Sequence, residues 1–216
     1  MVMPTFRDAF RMAMTSCRLG TSCFIFLVLT GSPAAAHHVM GGKTPATFFE
    51  GFLSGLGHPI IGIDHFAFIV AAGLVVGVAR LNLAVLAVFI GASALGVAIH
   101  VQGVGLPAAE ALVAISVLAI GCLLAARANM PTMAWLALFA AAGLVHGYAY
   151  GESIFGAEPT PLYAYLAGLV VVQTGIAGVA TAVQRRPDMA PLKARLAGAG
   201  IAGIGLTVLA AQILPS

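Results

Sequence analysis

The chain has 216 residues, of which 61% are hydrophobic and only 8% charged, with a formal net charge of +3. Its mean hydropathy is +1.04, which excludes a soluble domain of ordinary composition and places the chain in a membrane. It carries no nucleotide-binding glycine fingerprint, long soluble segment or basic nucleic-acid patch, so its function has to lie in the lipid bilayer or at its faces, without a nucleic-acid partner.

Residues 1–36 read as a cleavable signal peptide. Arg7, Arg11 and Arg18 form a positive leading region, residues 23–30 (CFIFLVLT) a short apolar core, and Ala34 to Ala36 a small-residue cleavage pattern. Cleavage after Ala36 makes His37 the mature N-terminus and removes Cys17 and Cys23. Cys122 then stands alone in an apolar helix, so no disulfide framework exists.

The mature part, residues 37–216, reads as one all-α, polytopic membrane domain with six transmembrane helices, each near the ~20 residues a bilayer requires. The first covers 60–79 and is preceded by an apolar approach, 48–56, interrupted by Gly57 and Pro59. The others cover 83–101, 108–126, 132–150, 162–183 and 192–214. Arg80, Arg127 and the group Arg185, Arg186, Lys193 and Arg195 fall in alternate connections, whereas the loops around Gln102 and Glu158 carry no Lys or Arg. The positive-inside rule turns the arginine loops to the cytoplasm and both mature termini outward, which demands an even number of spans. The small-residue stretches Gly168 to Gly178 and Gly198 to Gly203 are read as ordinary helix packing or a homo-oligomer contact.

Against this background the polar residues stand out. His58, Asp64 and His65 fall in or beside the first span, where an ionisable group costs roughly 2.5 to 3.5 kcal/mol on insertion scales. Under the assigned orientation all six histidines lie on the external side. His37 and His38 open the tail, His100 ends the second span, and His146 and Glu152 sit at the outer end of the fourth. On a continuous helix His58 and His65 are two turns and about 10 Å apart on one face, too far to share an ion bound at about 2.0 to 2.1 Å. A helix broken at Gly57-His58-Pro59, with Gly62 as a further irregularity, folds His58 back over the site; two successive sites along an entry path are the alternative. Asp64 serves either as a ligand or as a partner that fixes a histidine tautomer.

In the second cluster His146 and Tyr150 share a helix face, and Gly147 and Gly151 permit close contact with a neighbouring helix. His146 and Glu152 can close a site against the first span. Tyr148 and Tyr150 are read as interfacial belt residues. At the mature terminus the α-amine and imidazole of His37 form a chelating pair, with His38 beside it and Met40 as a softer donor. Histidines and carboxylates suit a divalent ion such as Ni(II) or Co(II) better than Cu(I), which calls for Cys and Met.

His58, five residues, then Asp64-His65, with His146-Gly147 and Gly151 in a later span, resembles the HupE/UreJ family of bacterial secondary metal permeases over nearly the whole mature chain. The resemblance implies a small inner-membrane protein with a cleaved signal and six spans that takes up Ni²⁺ or, in some members, Co²⁺ as cargo, with no prosthetic group. It implies metal-binding roles for His58, Asp64, His65 and His146, and one for His37. The chain departs from the pattern at Tyr150, where the family carries a second histidine ahead of a glutamate; Glu152 follows two positions later. Two other readings fit a buried histidine cluster. One is an intramembrane zinc hydrolase with Glu152 or Asp64 as base; neither an H-E-x-x-H nor a nucleophile motif is present. The other is a metal-binding membrane protein without flux.

Overall fold

The computed structural model describes residues 43–214. The expected signal peptide and the expected ligands His37 and His38 lie outside the described residues.

The described residues form seven α-helices and no strands: α1 (Phe48–Ile61), α2 (Ile63–Val78), α3 (Ala84–Val101), α4 (Ala109–Ala126), α5 (Thr132–Gly151), α6 (Pro159–Gln184) and α7 (Pro191–Ile213). A 3-10 turn, Glu152–Ile154, follows α5. Five of these helices, α3 to α7, are long and apolar enough to cross a membrane, and α1 with α2 makes a sixth if the pair counts as one bent span. The helices start where local chemistry supplies a start. Thr47 and Glu50 cap α1 reciprocally, the Thr47 hydroxyl accepting from the Glu50 N–H and the Glu50 carboxylate accepting from the Thr47 N–H. Pro residues occupy the first turns of α6 and α7, where a missing N–H removes no helical bond.

The first span departs from the expected break. Pro59 sits inside α1 rather than ending it, and the chain turns by 80° at Gly62, whose backbone is extended at φ −72° and ψ 102°. Near a helix end a proline forfeits one bond, here to the Gly55 carbonyl, and the last turn survives it. The Gly62 N–H closes α1 on the His58 carbonyl at 3.0 Å, and the Gly62 carbonyl opens α2 by accepting from Phe66 at 2.8 Å.

Helix pairing is set by small residues. α3 lies along α5, α4 along α7, and both halves of the bent span along α6. In lipid, apolar side chains give no drive to associate, so close backbone approach has to supply the contact energy. Gly147 abuts the Ser93 carbonyl, Gly55 the Tyr165 backbone, Gly73 the Ala177 carbonyl, and Gly198 the Ala125 backbone. Gly175, Gly178, Gly200 and Gly203 meet nothing within 4 Å, so only part of the small-residue stretches is used in packing within the chain.

The two ends of the bundle differ. Every arginine among the described residues lies in the α2–α3, α4–α5 and α6–α7 connections or just inside α7. Arg185 donates to the Leu81 carbonyl at 2.7 Å and Arg195 to the Ala125 carbonyl at 3.0 Å, tying neighbouring elements together at that end. The other end holds the α3–α4 and α5–α6 loops and the histidines. Between them lies an apolar core built around Phe68, Phe89, Trp135 and Phe139.

Candidate metal centre

The bend at Gly62 brings α1 and α2 together around the site. His58 leaves the last turn of α1, and Asp64 and His65 stand in the first turn of α2. The His58 and His65 rings are 5.6 Å apart between centroids, well short of the separation a straight helix imposes. α5 supplies His146, whose ring lies 4.9 Å from that of His65. His58, Asp64, His65 and His146 are each at most 2% exposed. Among the described residues no three His, Cys, Asp or Glu side chains already converge on a single ion position; they form a hydrogen-bonded cluster.

Gly62 is where the cluster narrows. A methyl group built there comes within 2.7 Å of His65 Cδ2 and 3.3 Å of Asp64 Oδ1. The Cγ–Cδ2 edge of the His65 ring and the carboxylate therefore both border the bend. Asp64 Oδ1 also accepts the His65 N–H at 2.8 Å. A carboxylate in the first turn of α2 suits that helix's positive end, while α1 turns its negative C-terminal end toward the same place. Broken membrane helices commonly present such ends to an ion.

Proton counting assigns the ring nitrogens. Ser116 has one hydroxyl proton and donates it to the Val113 carbonyl at 2.7 Å. Its oxygen, 2.8 Å from His146 Nε2, must therefore accept, so His146 carries its proton on Nε2. His146 Nδ1 is then an acceptor, and His65 Nδ1, 2.8 Å away, is the donor. On this count His65 carries its proton on Nδ1. The Tyr165 hydroxyl donates to the Tyr150 carbonyl at 2.8 Å, and its oxygen, at 3.1 Å, and Ser153 Oγ, at 2.8 Å, both lie within hydrogen-bond distance of His58 Nδ1.

Tyr150 is not a belt residue. It is fully buried, its ring 5.1 Å from His58 and 4.4 Å from His65. One turn past His146 on an inward-facing stripe, it follows the burial of that face and not the interfacial preference of its residue type. The floor of the site is aromatic: the His146 ring lies tilted against Phe68 at 4.6 Å and 6.1 Å from Phe89. Glu152 is exposed at the start of the 3-10 turn, while the next residue, Ser153, reaches His58. His100 ends α3 against Tyr148 and Phe155, with ring distances of 4.5 and 5.7 Å.

Ser116, Ser153 and Tyr165 escape a reading based on charge, because isolated hydroxyls are ordinary in apolar helices. Gln173 offered a clearer signal, an amide in the middle of α6; it is buried and 3.0 Å from Ser93 Oγ.

A bundle of apolar helices with a bent pair folded around buried histidines and a carboxylate defines the class as a polytopic helical membrane protein. The chain belongs to the HupE/UreJ family: the family model described as HupE / UreJ protein matches residues 25–208. The curated relative Protein HupE of Rhizobium leguminosarum bv. viciae is 28% identical over 183 residues, covering 82% of this chain and 91% of the relative. No solved structure matches the chain.

Proposed function

We propose that the protein is a secondary permease that takes up Ni²⁺ or Co²⁺, with His58, Asp64, His65 and His146 forming the buried station through which the ion passes. One observation carries this reading: a carboxylate and three imidazoles from three helices, each almost wholly buried, are gathered at an 80° break in a span. Groups that are costly in hydrocarbon and grouped at irregular backbone mark an ion pathway. The nitrogen-rich donor set with one carboxylate suits late first-row divalent ions.

The arginine-bearing end faces the cytoplasm in this reading and the histidine end the periplasm, by the positive-inside rule. Cleavage after Ala36 would place His37 and His38 at the external mouth, where exposed Glu152 joins them as a collecting group. Inward from the station stands the aromatic floor of Phe68 and Phe89, so release requires helices to shift rather than an ion to diffuse down an open pore.

The test is accumulation of radioactive Ni²⁺ and Co²⁺ in cells that lack their own importers, with and without the chain. Uptake of either ion above the vector control supports the permease. Metal bound by purified protein with no accumulation would overturn it in favour of binding without flux.

Gly62→Ala probes the bend itself. The added methyl presses on His65 Cδ2, which has to give way, while the backbone angles at Gly62 are open to alanine. Affinity for the transported ion is expected to fall about 10- to 100-fold, the range for displaced ligand support. Titration of purified protein, at unchanged membrane levels, checks it.

A further inference from the structure

Three imidazoles lie in the cluster, but the hydrogen-bond pattern does not treat them alike. His146 is bonded at both ring nitrogens, Nε2 to Ser116 Oγ and Nδ1 to His65 Nδ1, each at 2.8 Å. The Ser116 hydroxyl is itself fixed on its own helix by the Val113 carbonyl. The relay runs in one direction: Ser116 donates to backbone, His146 donates to Ser116, and His65 donates to His146. Reversing any member would set two donors or two lone pairs against each other.

A metal-binding histidine ordinarily donates its second ring N–H to a partner that fixes its tautomer and orientation. His65 does so to His146. The Cγ–Cδ2 edge of the His65 ring borders Gly62, as does Asp64 Oδ1. The ring is therefore gripped at Nδ1 by His146 and packed against the bend along that edge.

Resting on the permease reading, we propose that His146 is a positioning residue and not a ligand: anchored by Ser116, it fixes the tautomer and orientation of His65, the histidine that binds the ion. Ser116 is the fixed end of this relay. The ion's own ligands are then drawn from the bent span.

The full-length protein in detergent, loaded with Ni²⁺ or Co²⁺ alone, is examined by X-ray absorption to count imidazoles on the metal, and by equilibrium titration for affinity. His146→Gln keeps an acceptor for His65 and a donor for Ser116. It is expected to leave the imidazole count unchanged with an affinity loss of no more than about 100-fold. His65→Ala is expected to remove one imidazole. Ser116→Ala should weaken binding about 10- to 100-fold, and Ser116→Thr, which keeps the hydroxyl, should restore most of it.

Loss of one imidazole in His146→Gln would overturn the inference and make His146 a ligand. Unchanged affinity in Ser116→Ala would overturn the relay. Neither result touches the permease reading, which fails instead if the unaltered protein binds neither ion.

Discussion

Asp64→Asn and His65→Ala are each expected to reduce Ni²⁺ or Co²⁺ accumulation at least about 100-fold, beyond the 10- to 100-fold that supporting residues command, at matched protein levels in the membrane. The Asn variant isolates charge. Its side-chain oxygen can still accept the His65 N–H that Asp64 Oδ1 now accepts at 2.8 Å, and its shape is nearly unchanged. What disappears is the negative charge beside a dication that has surrendered much of its hydration. In a buried site that attraction is poorly screened and amounts to several kcal/mol even at an effective dielectric near 20. His65→Ala removes the imidazole packed against the bend and leaves the His146 Nδ1 acceptor without its donor. Uptake assays alongside quantification of membrane protein separate loss of transport from loss of folding. Near-normal accumulation in Asp64→Asn would show that the carboxylate only braces the α2 N-terminus.

The division between what was legible in the residues and what was not follows the range of the forces involved. Apolar length and arginine placement report local requirements of the bilayer, so the helices α3 to α7 fall within a few residues of expectation. The gathering of His58, Asp64, His65 and His146 was legible for a related reason: ionisable groups in hydrocarbon must find one another, and spacing already showed that a straight helix could not bring His58 to His65. The position of the bend was not legible. Pro59 is the stronger breaker by residue type, yet a proline near a helix end forfeits one bond, whereas the extended backbone at Gly62 redirects the chain. Tyr150 was misread because an aromatic near a span's end fits both a belt and a core. Its burial depends on which face of α5 meets α1, α2 and α6, a tertiary fact that a Gly- and Ala-rich, nearly uniform helix does not signal. Ser116 was invisible because a hydroxyl bonded back to its own helix looks the same in sequence whether or not a histidine also leans on it.

Gly147→Leu is expected to be the most damaging substitution that leaves every proposed ligand in place. At Gly147, α5 lies so close to α3 that a Cβ would run into the backbone of Ser93. Backbone cannot rotate aside as a long side chain can, so the two helices must separate along their length. Overpacking of a well-fitted core costs about 1 to 3 kcal/mol, and a Leu against backbone belongs at or above the upper end. Gly178→Leu on α6 is the matched control: a Cβ added there meets nothing within 4 Å, so the same side chain enters open space and helix propensity improves. Thermal unfolding in detergent should therefore show a marked drop in midpoint for Gly147→Leu and none for Gly178→Leu. Function should follow the same split, because His146 directly precedes Gly147 and Ser93 contacts Gln173 at 3.0 Å. Parting α3 from α5 moves His146 off both Ser116 and His65 and so disturbs a ligand it does not itself replace. Residual metal binding with reduced affinity is the expected result in whatever Gly147→Leu protein reaches the membrane. An unaltered midpoint would mean that α3 and α5 are held apart enough to admit a side chain, and that their small residues do not bring them into contact.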